Sequence, residues 1–377
     1  MSNRIAFYAP IKPPDHPIPS GDRLIARNLI KALTLAEYSV ELATPYIAYS
    51  KRSDPAILAE RKRGALDEAK AILERYQSAE KRDQPDLWLT YHPYCKAPDW
   101  IGPIVTEALE IPYVTVEAAR TRQGENDEWG PWRTEAQMGI KQADLHLVFK
   151  PSDKAYLSEL LGGADRLMPL APFFDDTSLE QPIPFKSPRH FDPATPMLVC
   201  VGMMRKGKKD QNFYLLADLL SSLLDVPWNL VLVGSGPEEE NIRTAFKTIP
   251  SHRQHWAGEC SHAEVLGTMR AGDVFVWPGW REPIGMVYLE AASQGLPSVA
   301  FGDLGVPLVV EDGGTGLLAR SGDAEDYRNK LRALLENPER RKFMGQAATE
   351  KVTAQHSIAA AARRLKTVLS PFLNNQN

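Results

Sequence analysis

Two glutamates and three backbone amides stand at a strand-to-helix transition in the second half of the sequence. The segment Trp280–Pro297 reads W-R-E-P-I-G-M-V-Y-L-E-A-A-S-Q-G-L-P and follows an apolar run that ends in a Pro-Gly turn. Its small and apolar residues recur at helical spacing, which predicts a helix that begins close to Gly285. The first amides of a helix have no acceptor within it and favour an anion, so those of Gly285, Met286 and Val287 are predicted to bind a group such as a diphosphate.

The two glutamates of this segment, Glu282 and Glu290, flank the predicted anion site. Their separation of eight positions corresponds to roughly 12 Å along a helix that rises about 1.5 Å per residue. Two carboxylates at that distance cannot both bind phosphate, but carboxylates accept hydrogen bonds from hydroxyl groups. We therefore expect them to hold hydroxyls on either side of the anion, a sugar on one side and a ribose on the other. A helix with an exposed glutamate at each end is the alternative explanation.

A basic loop and a Gly-x-Gly turn lie upstream of this segment. The apolar run Leu198–Gly202 is followed by R-K-G-K-K at 205–209, which is either a cationic phosphate site or a solvated loop. In V-L-V-G-S-G-P-E, Gly234 and Gly236 lack the Cβ atoms that would keep a ligand away from the backbone. A lone Gly-x-Gly is a weak signal, so these glycines need the support of other motifs.

Length and composition indicate how many domains must position these groups. The chain has 377 residues, of which 43% are hydrophobic and 24% charged, and its formal net charge is −4. That length favours two domains, and the small negative charge argues against duplex nucleic acid as a partner. Because Cys95, Cys200 and Cys260 are far apart, a reducing compartment is favoured over a disulfide framework.

The sequence predicts a cytoplasmic protein and leaves peripheral contact with a membrane open. No apolar stretch approaches the roughly 20 residues that span a bilayer, and the N terminus lacks the pattern of a signal peptide. The segment Lys51–Asp83 interleaves acids and bases at helical spacing. We interpret its basic cluster, Arg61, Lys62 and Arg63, as part of a solvated helix face, with membrane docking as the alternative.

Short runs rich in Val, Ile and Leu alternate with amphipathic stretches along the whole chain. This pattern is typical of parallel sheets covered by helices, so the predicted fold class is α/β. In the first half the predicted strands are residues 4–9, 39–44, 87–91, 113–116, 145–149 and 167–170. In the second half they are residues 197–203, 229–233, 273–277, 297–301 and 316–319.

A proline-rich segment without periodicity separates the two sets of strands. It runs from Glu180 to Pro196 and carries five prolines, as domain linkers often do. We therefore predict a first domain over residues 1–180, a linker over 181–196 and a second domain over 197–354.

Four elements of the second half, in order and spacing, resemble those of retaining glycosyltransferases with the GT-B fold, and glycosyltransferase family 4 (group 1) in particular. The stretch E-P-I-G-M-V-Y-L-E resembles the Glu-x7-Glu signature of these enzymes, and A-A-S-Q-G-L-P-S-V-A resembles its continuation. The run ending at Gly202, with Arg205 and Lys208, resembles the strand-glycine-arginine-lysine element. V-L-V-G-S-G-P-E and E-D-G-G-T-G-L-L resemble two further turns of the family, and the resemblance covers most of Met197–Arg364.

The resemblance implies an architecture and a set of donor-binding residues. The architecture is two Rossmann-like domains facing each other across a cleft, with a C-terminal helix, residues 355–377, packing back on the first domain. Glu282 would bind hydroxyls of the donor sugar, Glu290 the ribose of the nucleotide, and Lys208 the diphosphate leaving group. Arg205 would reach the phosphates from a shifted position, because this sequence has Met203 where the family has arginine directly after the glycine.

The resemblance implies that three glycines let a ligand come close to the backbone. Gly234 and Gly236 would let the chain come close to the nucleotide base. P-S-G-D-R resembles the glycine-rich first loop of the family, in which Gly21 would admit the donor phosphates or the acceptor. A helix cap by Ser20 or Asp22 explains the same residues equally well.

A polar cluster is predicted on the acceptor side of the first domain. The stretch I-P-Y-V-T-V-E-A-A-R lies where many members of the family have a strand ending in histidine, and here Glu117 takes that place. We predict that Glu117, His92 and Arg120 form this cluster.

The function implied by the resemblance is metal-independent transfer of a hexosyl group, with retention of configuration, from a nucleotide sugar to a hydroxyl of a saccharide or lipid-linked acceptor. The donor base is left open between the UDP and GDP types, and a role in glycan or surface polysaccharide biosynthesis follows by analogy. The alternative is a protein of the same fold with lost or different activity: an epimerase, a sugar-phosphate synthase or a non-catalytic binding module. No cofactor or metal is expected, because the spacing of His252, His255, Cys260 and His262 is too irregular for a metal site.

Overall fold

Two compact units make up the chain. A computed structural model describes residues 3–18, 20–119 and 128–373. The first unit runs from the N terminus to Ala171 and takes in the residues from Ile358 onward, and the second unit is Pro172–Ser357. Each unit contains a six-stranded sheet whose adjacent strands are parallel, as helical crossover connections require.

The first unit alternates strands with helices. Its elements are β1 (Arg4–Tyr8), α1 (Gly21–Leu35), β2 (Ser39–Leu42), α2 (Pro55–Ser78), β3 (Leu87–Tyr91), α3 (Ile101–Leu109), β4 (Tyr113–Val116), α4 (Gly130–Gln142), β5 (Leu145–Val148), α5 (Pro151–Leu161) and β6 (Leu167–Pro169). The strand order is β2-β1-β3-β4-β5-β6. Strands β3, β4 and β5 are buried along their whole length, which is why their sequences are mostly apolar rather than alternating.

The second unit repeats the alternation. Its elements are β7 (Met197–Val201), α6 (Lys208–Ser221), β8 (Asn229–Val233), α7 (Glu239–Ala245), β9 (Gln254–Gly258), α8 (His262–Ala271), β10 (Val274–Val276), α9 (Met286–Ser293), β11 (Ser298–Phe301), β12 (Gly316–Ala319), α10 (Ala324–Leu335) and α11 (Pro338–Lys351). The strand order is β12-β11-β10-β7-β8-β9. Because the order changes direction between β7 and β10, the carboxyl ends of these two strands flank a point where ligands commonly bind in such sheets.

All eleven predicted strands are confirmed, and within the described residues one more is present. The ends of the predicted strands differ from the observed ones by no more than two residues. The additional strand, β9, has the sequence Q-H-W-A-G and lies at the edge of the second sheet. The sequence analysis did not predict β9, because it relied on apolar runs. An edge strand such as β9 is only half-buried and can contain polar residues.

The proline-rich segment packs with the second unit, and the last helix packs with the first. Residues 172–196, which include the predicted linker, pack with the second unit: Phe174 and Phe191 enter its core, and the amide of Ile183 donates to the carbonyl of Ala263 at 3.0 Å. The last helix, α12 (Ile358–Leu373), groups with the first unit, where it packs against α1.

The basic cluster on α2 is mostly engaged within the first unit. Arg61 donates to the carbonyl of Ile47 at 3.2 Å, and Lys62 forms an ion pair with Glu135 at 2.9 Å. These contacts leave Arg63 as the exposed member of the three. Among the described residues, no helix is both long enough and apolar enough to cross a membrane.

Candidate functional site

The loop that connects β10 to α9 is held in an unusual backbone conformation. Gly279, Arg281 and Gly285 have φ angles of 70°, 57° and 81°, in the left-handed region that residues other than glycine rarely adopt. A Cβ atom on Gly285 would lie 2.6 Å from the ring of Tyr288, so only glycine fits there. Gly285 is the N-cap of α9, which begins at Met286. The predicted helix start is confirmed.

Glu282 lies in this loop, and Glu290 lies inside α9. The estimate of their separation along a helix is wrong, because the backbone between Glu282 and Gly285 is not helical. Both side chains are partly buried, with 17% and 32% of their surface exposed. The amides of Met286 and Val287 precede the first intrahelical donors of α9, so they remain candidates for binding an anion between the two carboxylates.

Four hydrogen bonds fix the backbone of the loop. The buried side chain of Asn212, on α6, accepts a hydrogen bond from the amide of Trp280 at 2.8 Å and donates one to its carbonyl at 3.0 Å. The amide of Arg281 donates to Asp303 at 2.9 Å. The amide of Gly305 donates to the carbonyl of Glu282 at 3.1 Å. The backbone that carries Glu282 is therefore held in place on several sides. Residues that contact a ligand directly need such support to keep a fixed geometry.

The lysine beside Glu282 is Lys209. Its Nζ lies 3.0 Å from Oε2 of Glu282 and 5.3 Å from the centre of the Trp277 ring. Lys208, the predicted phosphate lysine, is exposed and reaches the carbonyl of Arg281 at 3.4 Å. Consecutive residues of a helix point about 100° apart, and here Lys209 contacts the Glu282 carboxylate whereas Lys208 contacts the backbone of the preceding residue.

The position at which α6 begins sets the directions of the Lys208 and Lys209 side chains. Gly207 is the N-cap of this helix, with a φ of 114°, and the side chain of Asp210 accepts from the Gly207 amide at 3.0 Å. Two adjacent lysines follow, and the sequence alone cannot say which side each will face. The Gly-x-x-Asp spacing from Gly207 to Asp210 is a local signal for the start of α6.

Arg205 and Met203 both project outward from the loop after β7. Met203 is 56% exposed, whereas Met204 is completely buried. Arg205 is also exposed, and within the described part of the chain its side chain has no hydrogen bond or ion pair. Its predicted role at the phosphates remains a prediction.

Gly234 and Gly236 allow two loops to touch. A Cβ atom on Gly234 would lie 2.0 Å from the carbonyl oxygen of Gly202, and one on Gly236 would lie 2.3 Å from that of Met204. Their φ angles of 131° and 151° also fall in the region that favours glycine. These glycines are therefore required by the contact between the loops after β7 and β8, whatever the distance to a nucleotide base.

Glu290 faces a histidine. Nε2 of His262, the first residue of α8, lies 4.0 Å from Oε1 of Glu290. Burial raises the pKa of Glu290, and His262 partly opposes the shift. Within the described ranges, no three His, Cys, Asp or Glu side chains converge as a metal site would require.

The first unit brings together two of the three predicted acceptor-side residues. His92 follows β3 and Glu117 follows β4, and these strands are neighbours in the sheet. Two further members, Asp22 on α1 and Lys150 before α5, contact His92 and Glu117 respectively. Asp22 was considered from the sequence only as a helix cap, and no motif indicated Lys150. Arg120, the third predicted residue, lies outside the described residues.

Gly21 is the first residue of α1, and the cap interpretation of its motif is confirmed. The Ser20 hydroxyl oxygen accepts from the amide of Arg23 at 3.2 Å. A Cβ atom added to Gly21 would meet nothing within 4 Å. The fold itself therefore does not require glycine at this position, and ligand approach remains the predicted reason for it.

Replacing Asn212 with alanine is expected to lower the free energy of unfolding of the second unit by about 2 kcal/mol, because it removes two hydrogen bonds to the partly buried backbone of Trp280. Urea denaturation followed by circular dichroism measures the change. The matched control is Asn241→Ala on α7, whose exposed side chain donates to Glu238 on the surface; it should alter stability by less than about 0.5 kcal/mol. Equal effects of the two variants would contradict the role given to Asn212.

Comparison with known sequences identifies a family for most of the second unit. Residues 185–351 match the family described as glycosyl transferases group 1. A sulfoquinovosyl transferase, SQD2, from Arabidopsis thaliana is 33% identical over 180 residues, which cover 46% of this chain. The match spans only 33% of the length of that relative.

Comparison with solved structures covers both units. Sucrose-phosphate synthase from Thermosynechococcus elongatus superposes with a TM-score of 0.68 and 19% identity, covering 99% of this chain and 100% of that one. The Anabaena protein HepE, solved in complex with UDP and glucose, gives a TM-score of 0.60 and 17% identity over 98% and 100% of the two chains. The chain therefore has the two-domain GT-B fold, and the predicted fold class is confirmed.

Proposed function

Residues 185–351 match the glycosyl transferases group 1 family, and on that premise we propose that the chain transfers a sugar from a nucleotide-sugar donor to an acceptor hydroxyl. The observation that carries the proposal is the fixed placement of Glu282 and Lys209 beside the start of α9. A carboxylate, an ammonium group and free helix amides together suit a ligand that has both sugar hydroxyls and a diphosphate.

Each of these groups has a distinct part in donor binding. The Glu282 carboxylate accepts hydrogen bonds from hydroxyls of the donor sugar, and the Glu290 carboxylate accepts those of the ribose. The amides of Gly285, Met286 and Val287 bind the diphosphate. Lys209, rather than Lys208, supplies the positive charge next to the sugar, and Arg205 extends from the neighbouring loop toward the phosphates.

The reaction breaks the bond between the anomeric carbon and the diphosphate oxygen, whose electron pair leaves with the diphosphate. The acceptor oxygen forms the new bond to the same carbon from the side that the diphosphate leaves, and its proton passes to the departing phosphate oxygen. Configuration is thus retained without a protein nucleophile. Charge develops on the leaving group, so preorganised amides and Lys209 stabilise the transition state without the need for a metal ion.

The donor is proposed to be of the UDP or GDP type, and the product to be a glycan or surface polysaccharide. The donor proposal has the support of the structural neighbour HepE, which was solved with UDP and glucose. The acceptor proposal rests on analogy with the family.

Binding of a nucleoside diphosphate is expected to raise the melting temperature of the protein by about 5 °C or more when the ligand concentration is near one hundred times the dissociation constant. At that concentration, a ligand that binds only the native state stabilises it by about 2.7 kcal/mol. Thermal-shift measurements with UDP, GDP and inorganic phosphate test this, phosphate being the control. No stabilisation by either nucleotide would overturn the proposed function.

Product analysis then tests retention and metal independence separately from binding. The anomeric proton of the transferred sugar, observed by nuclear magnetic resonance, should keep the configuration that it has in the donor. Turnover should be unchanged by a chelator.

A further inference from the structure

The side chain of Glu290 is a partly buried carboxylate that lacks a hydrogen-bond donor. It lies on α9, 32% of its surface is exposed, and burial raises its pKa. Within the described residues, no backbone or side-chain group donates a hydrogen bond to it. Withdrawing an ionised carboxylate from water without supplying donors is costly. A ligand that donates a hydrogen bond is therefore the partner that this carboxylate requires.

The imidazole of His262 faces this carboxylate across a gap. Its Nε2 lies 4.0 Å from Oε1 of Glu290, whereas a direct N–H···O hydrogen bond is about 2.7–3.2 Å long. The N-cap of α8 sets the backbone at His262: Ser261 donates to the Glu264 carboxylate from its amide at 2.8 Å and from its hydroxyl at 2.7 Å. Glu264 is thereby engaged with the cap, and Glu290 is the carboxylate that faces the imidazole.

The gap between the two side chains suits one hydroxyl group. An oxygen placed about 2.8 Å from both atoms would form an angle of about 90° with them, which one hydroxyl can meet by donating one hydrogen bond and accepting the other. Because the carboxylate is an acceptor, it favours the imidazole hydrogen on Nε2, from which it can be donated to the hydroxyl. The negative charge of Glu290 disfavours a phosphate in the same place. The His262 side chain is 38% exposed, so a ligand can enter the gap.

The position of Glu290 along α9 indicates which hydroxyl this is. Glu290 follows Met286, whose amide is a candidate for binding the diphosphate, by one helical turn, which corresponds to roughly 6 Å along the axis. The hydroxyls of a ribose lie at a similar distance from its 5′-phosphate. Glu282, in the loop before α9, is left for the donor sugar.

We propose that His262 is a ribose-binding residue of the donor site, whose Nε2–H donates to the same ribose hydroxyl that donates to Oε1 of Glu290. Oε2 of Glu290 then accepts from the neighbouring hydroxyl. The identification of the ligand as a ribose rests on the proposed function, in which Glu290 has that role alone. The imidazole adds a contact that depends on one of the two hydroxyls, and nucleotides that lack this hydroxyl must show it.

Isothermal titration calorimetry of the full chain tests the proposal. The probes are UDP and GDP, together with the 2′-deoxy and 3′-deoxy forms of each. Replacing His262 with alanine should weaken binding of the intact nucleotide about fivefold, as the loss of one hydrogen bond does. The loss should persist with one of the deoxy forms. With the other, which lacks the bridging hydroxyl, the variant and the original protein should bind within about twofold of each other.

A merely structural role for His262 predicts a different pattern. If the imidazole only stabilised the start of α8 or the charge of Glu290, His262→Ala would weaken the binding of all three forms by the same factor. That result overturns the proposal, and so does unchanged binding of all three forms.

A conservative variant and a control accompany His262→Ala. The side-chain amide of His262→Gln can donate from a position similar to that of Nε2, so this variant should recover part of the affinity for the intact nucleotide. The control is His252→Ala. This histidine is exposed and precedes β9, at the opposite end of the strand from His262, and its replacement should leave every affinity unchanged.

Nitrogen-15 spectra of the original protein give a readout that does not depend on a variant. The Nε2 signal of one histidine should shift with the intact nucleotide and stay in place with the deoxy form that lacks the bridging hydroxyl. The absence of a shift with the intact nucleotide would contradict the proposed contact.

A failure of this inference can be told from a failure of the proposed function. If UDP or GDP binds and both deoxy forms respond to His262→Ala as the intact nucleotide does, His262 is not a ribose ligand and the donor site stands. If neither nucleotide binds, the proposed function and the inference that rests on it both fail.

Discussion

Replacing Glu282 with glutamine is expected to reduce the turnover number about a hundredfold, equivalent to about 3 kcal/mol of transition-state stabilisation. The neutral amide keeps the size of the side chain but loses the charge-assisted hydrogen bonds that a carboxylate makes with sugar hydroxyls. It also leaves Lys209 without its ion-pair partner. Steady-state kinetics at saturating donor measure the loss.

The control for this variant is Glu239→Gln on α7. That glutamate also forms an ion pair in the second unit, with Arg243 at 2.9 Å, and it takes no part in the loop before α9. Its turnover should stay within twofold of the original protein, a difference of about 0.4 kcal/mol. Unchanged turnover in Glu282→Gln would remove this glutamate from the donor site.

The second large effect is expected at Lys209. Replacing it with methionine keeps an unbranched chain against Trp277 but removes the charge, so turnover should fall about a hundredfold or more as the leaving group loses its stabilisation. Because the packing is retained, the melting temperature should change little. Single-turnover kinetics would show the loss in the transfer step rather than in product release.

Lys208→Met is the matched control for Lys209→Met. Both lysines stand in the first turn of α6, but Lys208 is exposed, and its ammonium group contacts the carbonyl of Arg281 rather than the Glu282 carboxylate. We expect its turnover to fall less than about tenfold. The reverse ranking, with Lys208→Met the more damaging, would restore the assignment that the sequence suggests and contradict the one drawn from the geometry.

The fold was largely predictable because its signals are local. A buried parallel strand must be apolar along its length, so runs such as Leu87–Tyr91 and Asn229–Val233 predict strands with the observed bounds. The exception, β9, shows the limit of that rule, since an edge strand escapes the requirement for apolar residues. The start of α9 was also predictable, because Gly285 and the helical spacing after it are adjacent in the sequence.

The candidate donor site was predictable only in part. Glu282, Glu290 and the amides at the start of α9 follow from one continuous segment. The choice of Lys209 over Lys208 depends on the rotation of α6 against a distant loop, because the pairs Lys209–Glu282 and Asn212–Trp280 are 73 and 68 positions apart in the sequence. No local pattern encodes that rotation.

By itself the sequence determined the α/β class, eleven of the strands and the start of α9, the helix predicted to bind an anion, because hydrophobic periodicity and helix-start signals act over a few residues. Only the tertiary structure decided which charged side chains meet. His92 finds Asp22 at a sequence distance of 70, and Glu117 finds Lys150 at a distance of 33. Such pairs arise because parallel strands bring their carboxyl ends to one edge of the sheet, and the resulting contacts, rather than any motif, decide which charges lie together there.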